Sequence, residues 1–540
     1  MRKLRVIPAG NTMLLIAFVL GVFALMVLPM LLMGYHYNVP YTIKSVRLLV
    51  ETSKVTDTSL HMLLWILSIF HHWIRWENVE GWVTISIAAF CLSLMPLWWC
   101  VRMLFDRATA WVTIVIFSML PLAWINAHSV GGHGFAYLPL FIGFGFFLKL
   151  HANRPMLAMI ISGAFFGITM ATQHSYIAFL PFLTLGYIWH QRKSVVPSII
   201  RIGVFCAVAY AMFLLPMIPG ALQQGLSVQQ RIAAVFEPMQ QKTPGEGHLY
   251  PDEFLYEHYK VEYDAEMQDR IADSSFLKRQ EDKNYRIIFG TDDFSIIDRI
   301  ASGTWMLLNN IPQFFMMDFM GGAFLWLFIM PGILVAWKTK RILVLYIGGI
   351  ILSMEFVLRY VLLFTSSHID NYLWAIALFA GIGVVANMKA LQKSFKWNAK
   401  QFCTFLSLIV LVIALQLLQV NRKVLARLYT RSPTLEIYAA TESLKALPED
   451  AVIAAPRRHD LLTLSDKKYV SVHEKTIDFL EKRGKLAEPF ALYGVTNIIG
   501  YSPEDVTRIK KAVPSISVIE LNEKQPELST LTRYLLNMIR

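Results

Sequence analysis

The sequence predicts a polytopic α-helical membrane protein with about eleven transmembrane helices and a small exported α/β domain at the C-terminus. Three observations carry that expectation. The chain of 540 residues is 55% hydrophobic and only 16% charged, with a mean hydropathy of +0.47, too apolar for an ordinary soluble globule. It contains eleven mainly apolar runs, most of about sixteen residues or more, near the length that crosses roughly 30 Å of hydrocarbon. Among the short turns between those runs, basic residues fall in every second one.

The runs lie near 14 to 33, 82 to 101, 109 to 127, 135 to 150, 156 to 172, 176 to 190, 202 to 220, 322 to 337, 342 to 364, 372 to 388 and 402 to 420. Arg2, Lys3 and Arg5 precede the first. Arg102 and Arg107, Lys149 and Arg154, Arg192, Lys193 and Arg201, Lys338, Lys340 and Arg341, and Lys389, Lys393, Lys396 and Lys400 occupy alternate turns. These turns hold 17 basic residues against one acid, Asp106, while the opposite short turns 129–134, 173–175 and 365–371 contain no Lys or Arg. The net charge of +12 is therefore a topology signal and not a nucleic-acid footprint. By the positive-inside rule the N-terminus is expected in the cytoplasm, and an odd number of spans puts the C-terminus outside.

The opening "MRKLR" followed by apolar residues has the charge layout of a signal sequence without a small-x-small cleavage site, so an uncleaved anchor is expected. Cys91, Cys100, Cys206 and Cys403 all fall within or beside the runs and read as packing thiols. The expected division is a transmembrane part over 1–420, with exported loops at 34–81 and 221–321, and an exported α/β part over 421–540. Within the first loop, "YTIKSVRLLVET" and "SLHMLLWILSIFHHWIRW" read as interfacial helices, and "WMLLNNIPQFFMMDFMGG" does so in the second.

In the tail, "AVIAAP", "TNIIGY" and "SISVIEL" read as strands. Between the last two, "SPEDVTRIKKA" reads as a helix capped by Ser502, with Pro503 at its first position and Asp505 at the capping-box position. No glycine-rich phosphate loop, metal-spaced Cys/His set or nucleophile elbow occurs there, so a packing or acceptor-guiding lid is the expectation.

Ionisable residues inside a membrane are costly and each needs a reason. Glu355 and Arg359 in "SMEFVLRYVLLF" are one helical turn apart on the same face. They read either as a self-neutralising ion pair or as an arginine held by a carboxylate so that its planar fork can take an anionic headgroup. Histidines gather at the exported ends: His128 and His133 bracket "SVGG", His174 sits in "TQHS", and His368 lies beside Asp370 in "SSHIDN". Imidazole is a common metal ligand, so a divalent cation is a candidate cofactor, although no local metal spacing is present. Lys44 and Arg47, with Tyr41 nearby, read as cations snorkelling to headgroups or as a phosphate clamp.

These features, in this order and with this sidedness, resemble the GT-C superfamily of integral-membrane glycosyltransferases, in particular the branch with protein mannosyltransferases and the lipid A aminoarabinose transferase. The resemblance covers roughly residues 12 to 390. "LHMLLWILSIF" is similar to a loop helix of that family. "CVRMLFDRATAWVTIVIFSMLPLAW" is similar to a conserved-type basic turn and its following span, and "MLAMIISGAFFGITMATQHS" to a glycine-spaced span, with Gly163 and Gly167 at matching places. "LRYVLLFTSSHIDNYLWAIALFAGIGV" resembles a segment in which Arg359 and Tyr360 match directly.

The resemblance implies a bacterial inner-membrane enzyme with a periplasmic C-terminal domain. Such an enzyme moves a sugar from a polyprenyl-phosphate donor to an exported lipid, glycan or protein acceptor. Its substrate-binding residues would be Asn38, Tyr41, Lys44, Arg47, His174, Glu355, Arg359, Tyr360 and His368. The family carries an acid just after its first span; here Asn38 stands there, and an amide can position a hydroxyl but takes no proton. Glu51, Asp57, Asp370, His128 and His133 are the candidate bases in its place. Two rivals follow from the missing acid and from the architecture: a catalytically degenerate lipid-linked-sugar binding or accessory protein, and a transporter or flippase.

Overall fold

The computed structural model describes residues 9–33, 43, 46, 50, 61–74, 79–191, 194–218, 252–272, 296–311, 315–316, 321–361, 369–430, 444, 446–456 and 467–519. Among the described residues, the eleven apolar runs fall on helix almost throughout. They are α1 (Ala9–Met33), α3 (Val79–Leu104) after the short loop helix α2 (His61–Phe70), the bent pair α4 (Arg107–Met119) and α5 (Pro121–His128), α6 (Gly132–Leu150) and α7 (Pro155–Thr172). A 3-10 turn (His174–Phe179) leads into α8 (Leu180–His190), followed by α9 (Val195–Leu214). After two helices of the second loop, α10 (Glu253–Ala272) and α11 (Ile296–Asn310), come α12 (Trp326–Phe356), α13 (Leu373–Phe395) and α14 (Ala399–Thr430).

Among the described residues six helices are each long and apolar enough to cross a membrane, and α4 with α5, bent by 61°, makes a seventh. The eighth and ninth runs share α12, whose helix breaks at Lys340 (φ −143°, ψ 48°) in the basic cluster Lys338–Lys340–Arg341. Apolar side chains left exposed on α9 (Val196, Ile199, Ile200) and α14 (Leu408, Leu411, Val412, Leu415) give those helices the outward apolar faces of membrane spans.

The bend between α4 and α5 has a local cause. Pro121 has no N–H to donate and its ring forces the preceding residue out of the helix, so Leu120 is extended and carbonyls of the last turn of α4 are released. Trp124 Nε1 donates to Ser118 O at 2.7 Å and Asn421 Nδ2, fully buried on α14, donates to Met119 O at 3.0 Å. Both are replacement donors of the kind that broken spans require. Where α12 crosses α13, Gly332 and Gly383 let the two backbones touch; a Cβ at either would collide with a carbonyl of the other helix. At the basic end of the bundle Asp106 caps α4 through Thr109 N and pairs with Lys389 at 2.7 Å.

The water-soluble part is a parallel sheet of β1 (Val452–Ala455), β2 (Lys468–Ser471), β3 (Asn497–Ile499) and β4 (Ser517–Ile519), ordered β2-β1-β3-β4. Helices α15 (Glu474–Glu481), α16 (Glu488–Leu492) and α17 (Pro503–Ala512) connect the strands. The expected strands at "AVIAAP", "TNIIGY" and "SISVIEL" are β1, β3 and β4. Ser502 caps α17 by accepting from Asp505 N and donates to Asp505 Oδ2, as the sequence predicts. An element from the second loop completes this unit: α10 packs Phe254, Leu255, Tyr259 and Tyr263 into one core with Ile477, Phe479, Leu480 and Phe490. Asp252, buried just before α10, accepts from Leu255 N (3.1 Å), from His473 N (2.9 Å) and from the Thr476 hydroxyl. Contact between α10 and the sheet unit brings the second loop and the tail together in one core.

Of the segments read as interfacial helices, α2 covers His61–Phe70 of the first, and α11 includes 305–310 of "WMLLNNIPQFFMMDFMGG", most of whose remainder lies outside the described residues. Trp65 of α2 donates to Pro216 O at 3.1 Å, tying the first loop to the end of α9. In the first loop, Ile43 and Val46 are helical and buried, and the rest of "YTIKSVRLLVET" apart from Val50 lies outside the described residues.

Candidate functional site

Because successive spans run up and down, α6 begins, α7 ends, α12 ends and α13 begins at the same end of the bundle, opposite the Asp106–Lys389 pair. The polar side chains buried in the bundle concentrate there. His133, one residue into α6, places Nε2 2.9 Å from Asp370 Oδ2 in the 3-10 turn (Ile369–Tyr372) that opens α13. The Asp370 main chain is itself fixed, since Tyr137 one turn further along α6 donates its hydroxyl to Asp370 O.

The carboxamide of Gln173, which ends α7, stands 3.1 Å from His133 Nε2 and 3.3 Å from Ser175 Oγ. Asn371 Nδ2 in turn donates to Ser175 Oγ at 3.0 Å. An ionised Asp370 accepts only, so Nε2 of His133 carries the proton between them. A nitrogen that donates to Asp370 does not accept from Gln173. The consistent assignment turns the carboxamide so that its oxygen faces His133 and receives the Ser175 hydroxyl. The result is a chain of polar groups, Asn371 to Ser175 to Gln173 to His133 to Asp370, that holds one imidazole and one carboxylate in a fixed mutual orientation.

The second cluster forms where α12 widens into a π-turn (Val357–Val361), a form that recurs at functional positions because it re-aims side chains. Arg359 is fully buried, and its Nε donates to Glu355 Oε2 at 3.1 Å. Tyr372, two residues after Asp370, donates to Glu355 Oε1 at 2.9 Å and lies within electrostatic reach of Glu355, Arg359 and Asp370 together. The carboxylate thus has both oxygens engaged and orients the guanidinium from one side. Tyr360 stacks on Phe356 and meets the Thr304 hydroxyl of α11 at 3.3 Å. Gly303 permits that approach; a Cβ there would stand 2.6 Å from the Tyr360 ring and 2.9 Å from Arg359 O.

His128, a candidate base, is placed differently from His133. Its ring is buried at the end of α5, with Nδ1 2.8 Å from Trp124 O and Nε2 3.0 Å from Met26 O, so both nitrogens face carbonyls and the ring ties α5 to α1. His174 is buried at the start of the 3-10 turn beside Gln173. Asn38, Tyr41, Lys44, Arg47, Glu51, Asp57 and His368 lie outside the described residues. Among the described residues no group of three or more His, Cys, Asp or Glu stands together as a metal set. Ser175, Asn371, Tyr137 and Tyr372 carry the site's hydrogen bonds without having been singled out by sequence. The one signal that pointed near them was the adjacency of Asn371 and Tyr372 to Asp370.

No family model and no curated protein matches the chain. Among solved structures it is similar to the Archaeoglobus fulgidus oligosaccharyltransferase tethered to an acceptor peptide. The identity is 12% over 85% of this chain and 64% of that one, with a TM-score of 0.49. It is similar also to ArnT from Cupriavidus metallidurans bound to undecaprenyl phosphate, with 11% identity over 95% of this chain and 90% of that one and a TM-score of 0.49. The A. fulgidus enzyme AglB with an inhibitory peptide and a dolichol-phosphate matches at 12% identity and a TM-score of 0.43, over 85% and 65% of the two chains. The chain spans about 64% of the length of the first of these.

Proposed function

We propose that the chain is a membrane glycosyltransferase that moves a sugar from a polyprenyl-phosphate donor to an acceptor presented at the His133–Asp370 end of the bundle. The observation that carries this reading is the pairing, at one mouth of the helical body, of an oriented imidazole–carboxylate dyad with a buried arginine held by Glu355 and Tyr372. Transfer needs those two functions. An acceptor hydroxyl attacks the anomeric carbon while the bond from that carbon to the phosphate oxygen breaks, and the electron pair leaves with the phosphate. The dyad takes the hydroxyl proton, and Arg359 stabilises the charge that grows on the departing oxygen.

The same reading places the N-terminus in the cytoplasm and the α/β unit in the periplasm of a bacterial inner membrane, with the division near residue 420. It is supported by the one-sided distribution of 17 basic residues and by the contact of α10 with the sheet unit. Purified protein given a radiolabelled polyprenyl-phosphate sugar and membrane extract as acceptor is expected to produce labelled product, and Asp370→Asn to abolish it. Product formed equally by both would remove Asp370 from the chemistry. The amide at Asn38 favours a second reading, a donor-binding accessory protein. Tight donor binding with no turnover in the native chain, and turnover gained in Asn38→Asp, would select it.

A further inference from the structure

At the opposite, basic end of the bundle lies a cavity that the proposed chemistry does not use. Its volume is about 410 Å³, within the range of ligand pockets, and it opens between α3, α6, α7, α8, α9, α12 and α13. Its walls are apolar along almost their whole length: Leu140, Phe144, Phe166, Leu183, Phe205 and Ile347 are typical. No carboxylate is among the residues that line it. The titratable side chains of the lining other than Cys100 are His151, Tyr187, His190 and Tyr346, on α8, on the second half of α12 and just after α6; Ser162 and Thr184 are its hydroxyl residues. His151 follows α6, and its ring stacks on Phe147 at 4.8 Å and meets Tyr187 edge-on at 5.5 Å.

A cation stands beside these side chains. Arg201 of α9 reaches the Tyr187 hydroxyl at 3.5 Å, and His190 closes α8. Burial first, then the neighbouring Arg201 and His190, push the His151 imidazole below the ordinary histidine value, so it meets an anion as a neutral N–H donor. Among the described residues the buried Nδ1 of His151 has no protein partner. A long apolar slot whose polar side chains include two imidazoles and two phenols, with the Arg201 guanidinium at one of the phenols, matches a molecule with an apolar chain and an anionic head.

We propose that this cavity is a binding site for one anionic phospholipid. An acyl chain occupies the slot between α7, α9 and α12, and the headgroup phosphate rests on Arg201, His151 and His190. Arginine and imidazole are the donors suited to phosphate oxygens, and the slot excludes a free phosphate from most of its volume. The site faces the leaflet at the basic end, so it is separate from the donor mouth, and its occupancy braces α8 and the second half of α12, the helix that ends in Arg359.

The test uses the full-length protein, stripped of lipid in detergent and titrated with phosphatidylglycerol or phosphatidylcholine under native mass spectrometry. One phosphatidylglycerol is expected to bind at least about tenfold more tightly than phosphatidylcholine. Arg201→Gln with His190→Gln is expected to erase that preference, and Leu183→Trp, which fills the slot, to weaken both lipids. The rim side chains are partly or fully exposed, so the double variant keeps the fold even where the tryptophan does not. Equal binding of the two lipids to the unsubstituted protein would overturn the proposal, as would a preference that survives the rim variant. Recovery of a polyprenyl phosphate as the tightly held lipid would also overturn it, by making the slot part of the donor site. None of these outcomes bears on whether sugar transfer occurs at the other mouth.

Discussion

His133 Nε2 and Asp370 Oδ2 meet at 2.9 Å although one opens α6 and the other precedes α13, so the pair exists only because two spans distant in sequence end at the same depth. The bend at Pro121 and the Asn421 bond that satisfies it set where α5 stops, and therefore where the "HSVGGHG" turn delivers His133. The Tyr137 bond to the Asp370 carbonyl fixes the other partner. Neither residue has to move to act as a dyad.

Asp370→Asn removes the acceptor and His133→Ala removes its orienting donor. Each is expected to lower transfer by about 10²–10⁴-fold, the usual contribution of a positioned base. Because the two act as one unit, the double variant is expected to lose little more than either single variant. A radiolabel transfer assay on purified variants measures this, and fully additive losses would show that the residues act separately.

Arg359 carries a different expectation. Its guanidinium is fully buried and Glu355 is largely so, and breaking a buried pair leaves a stranded charge that costs roughly 3–5 kcal/mol. Arg359→Ala is expected to lose both activity and thermal stability. Arg359→Leu with Glu355→Leu restores stability, since two apolar side chains replace the pair, but restores no transfer. Melting in detergent beside the transfer assay separates the roles; activity in the double variant would leave the pair with a structural role only.

The helical spacing of Glu355 and Arg359 and the polarity of the turns were legible in the sequence, because both depend on local periodicity and on where cations sit. The described residues of the eleven apolar runs lie on helix for the same reason. The site's remaining partners were not legible. Ser175, Asn371, Tyr137 and Tyr372 are uncharged and sit among apolar residues, where each reads as ordinary packing until α6, α7, α12 and α13 are brought together. The break at Lys340, which lets the eighth and ninth runs share α12, was visible only as a basic cluster. In the α/β unit β2 escaped notice because "KYVS" is short, sits at the sheet edge and exposes Lys468, so it has neither an apolar run nor a clean alternation. That α10 belongs to the core of this unit was hidden by the span pairs between them.

Tyr501 supplies a pH test outside the membrane. Its hydroxyl is buried and donates to Val472 O at 2.8 Å. Burial, followed by charge on Tyr469, Asp252, Asp505 and Glu474, holds its pKa well above the ordinary phenol value. A folded-state pKa raised above the unfolded one means that the stabilisation is complete below about pH 10, the free tyrosine value, and is lost as pH rises beyond it. Tyr501→Phe is expected to cost about 1 kcal/mol near neutral pH through the lost bond and to flatten the alkaline decline. Circular dichroism melts of the full chain between pH 8 and 11 (about 10 being the pivot) read both effects; an unchanged alkaline slope would assign the decline to other groups.

Asp252 tests the join between the second loop and the α/β unit. Its carboxylate caps α10 and accepts from two groups at the start of α15, His473 N and the Thr476 hydroxyl, all in a buried setting. Asp252→Ala leaves those donors without an acceptor and is expected to destabilise the unit by about 3 kcal/mol, because bonds to a charged acceptor are among the strongest a side chain makes. Asp252→Asn keeps one acceptor oxygen and is expected to lose about half as much. Hydrogen exchange on the intact protein locates the effect: amides of α10 and α15 lose protection together, while those of α6 and α13 keep theirs. Loss confined to α10 would mean that the sheet unit holds α15 without it, and that the second loop is attached to this unit by its aromatic residues and not by Asp252.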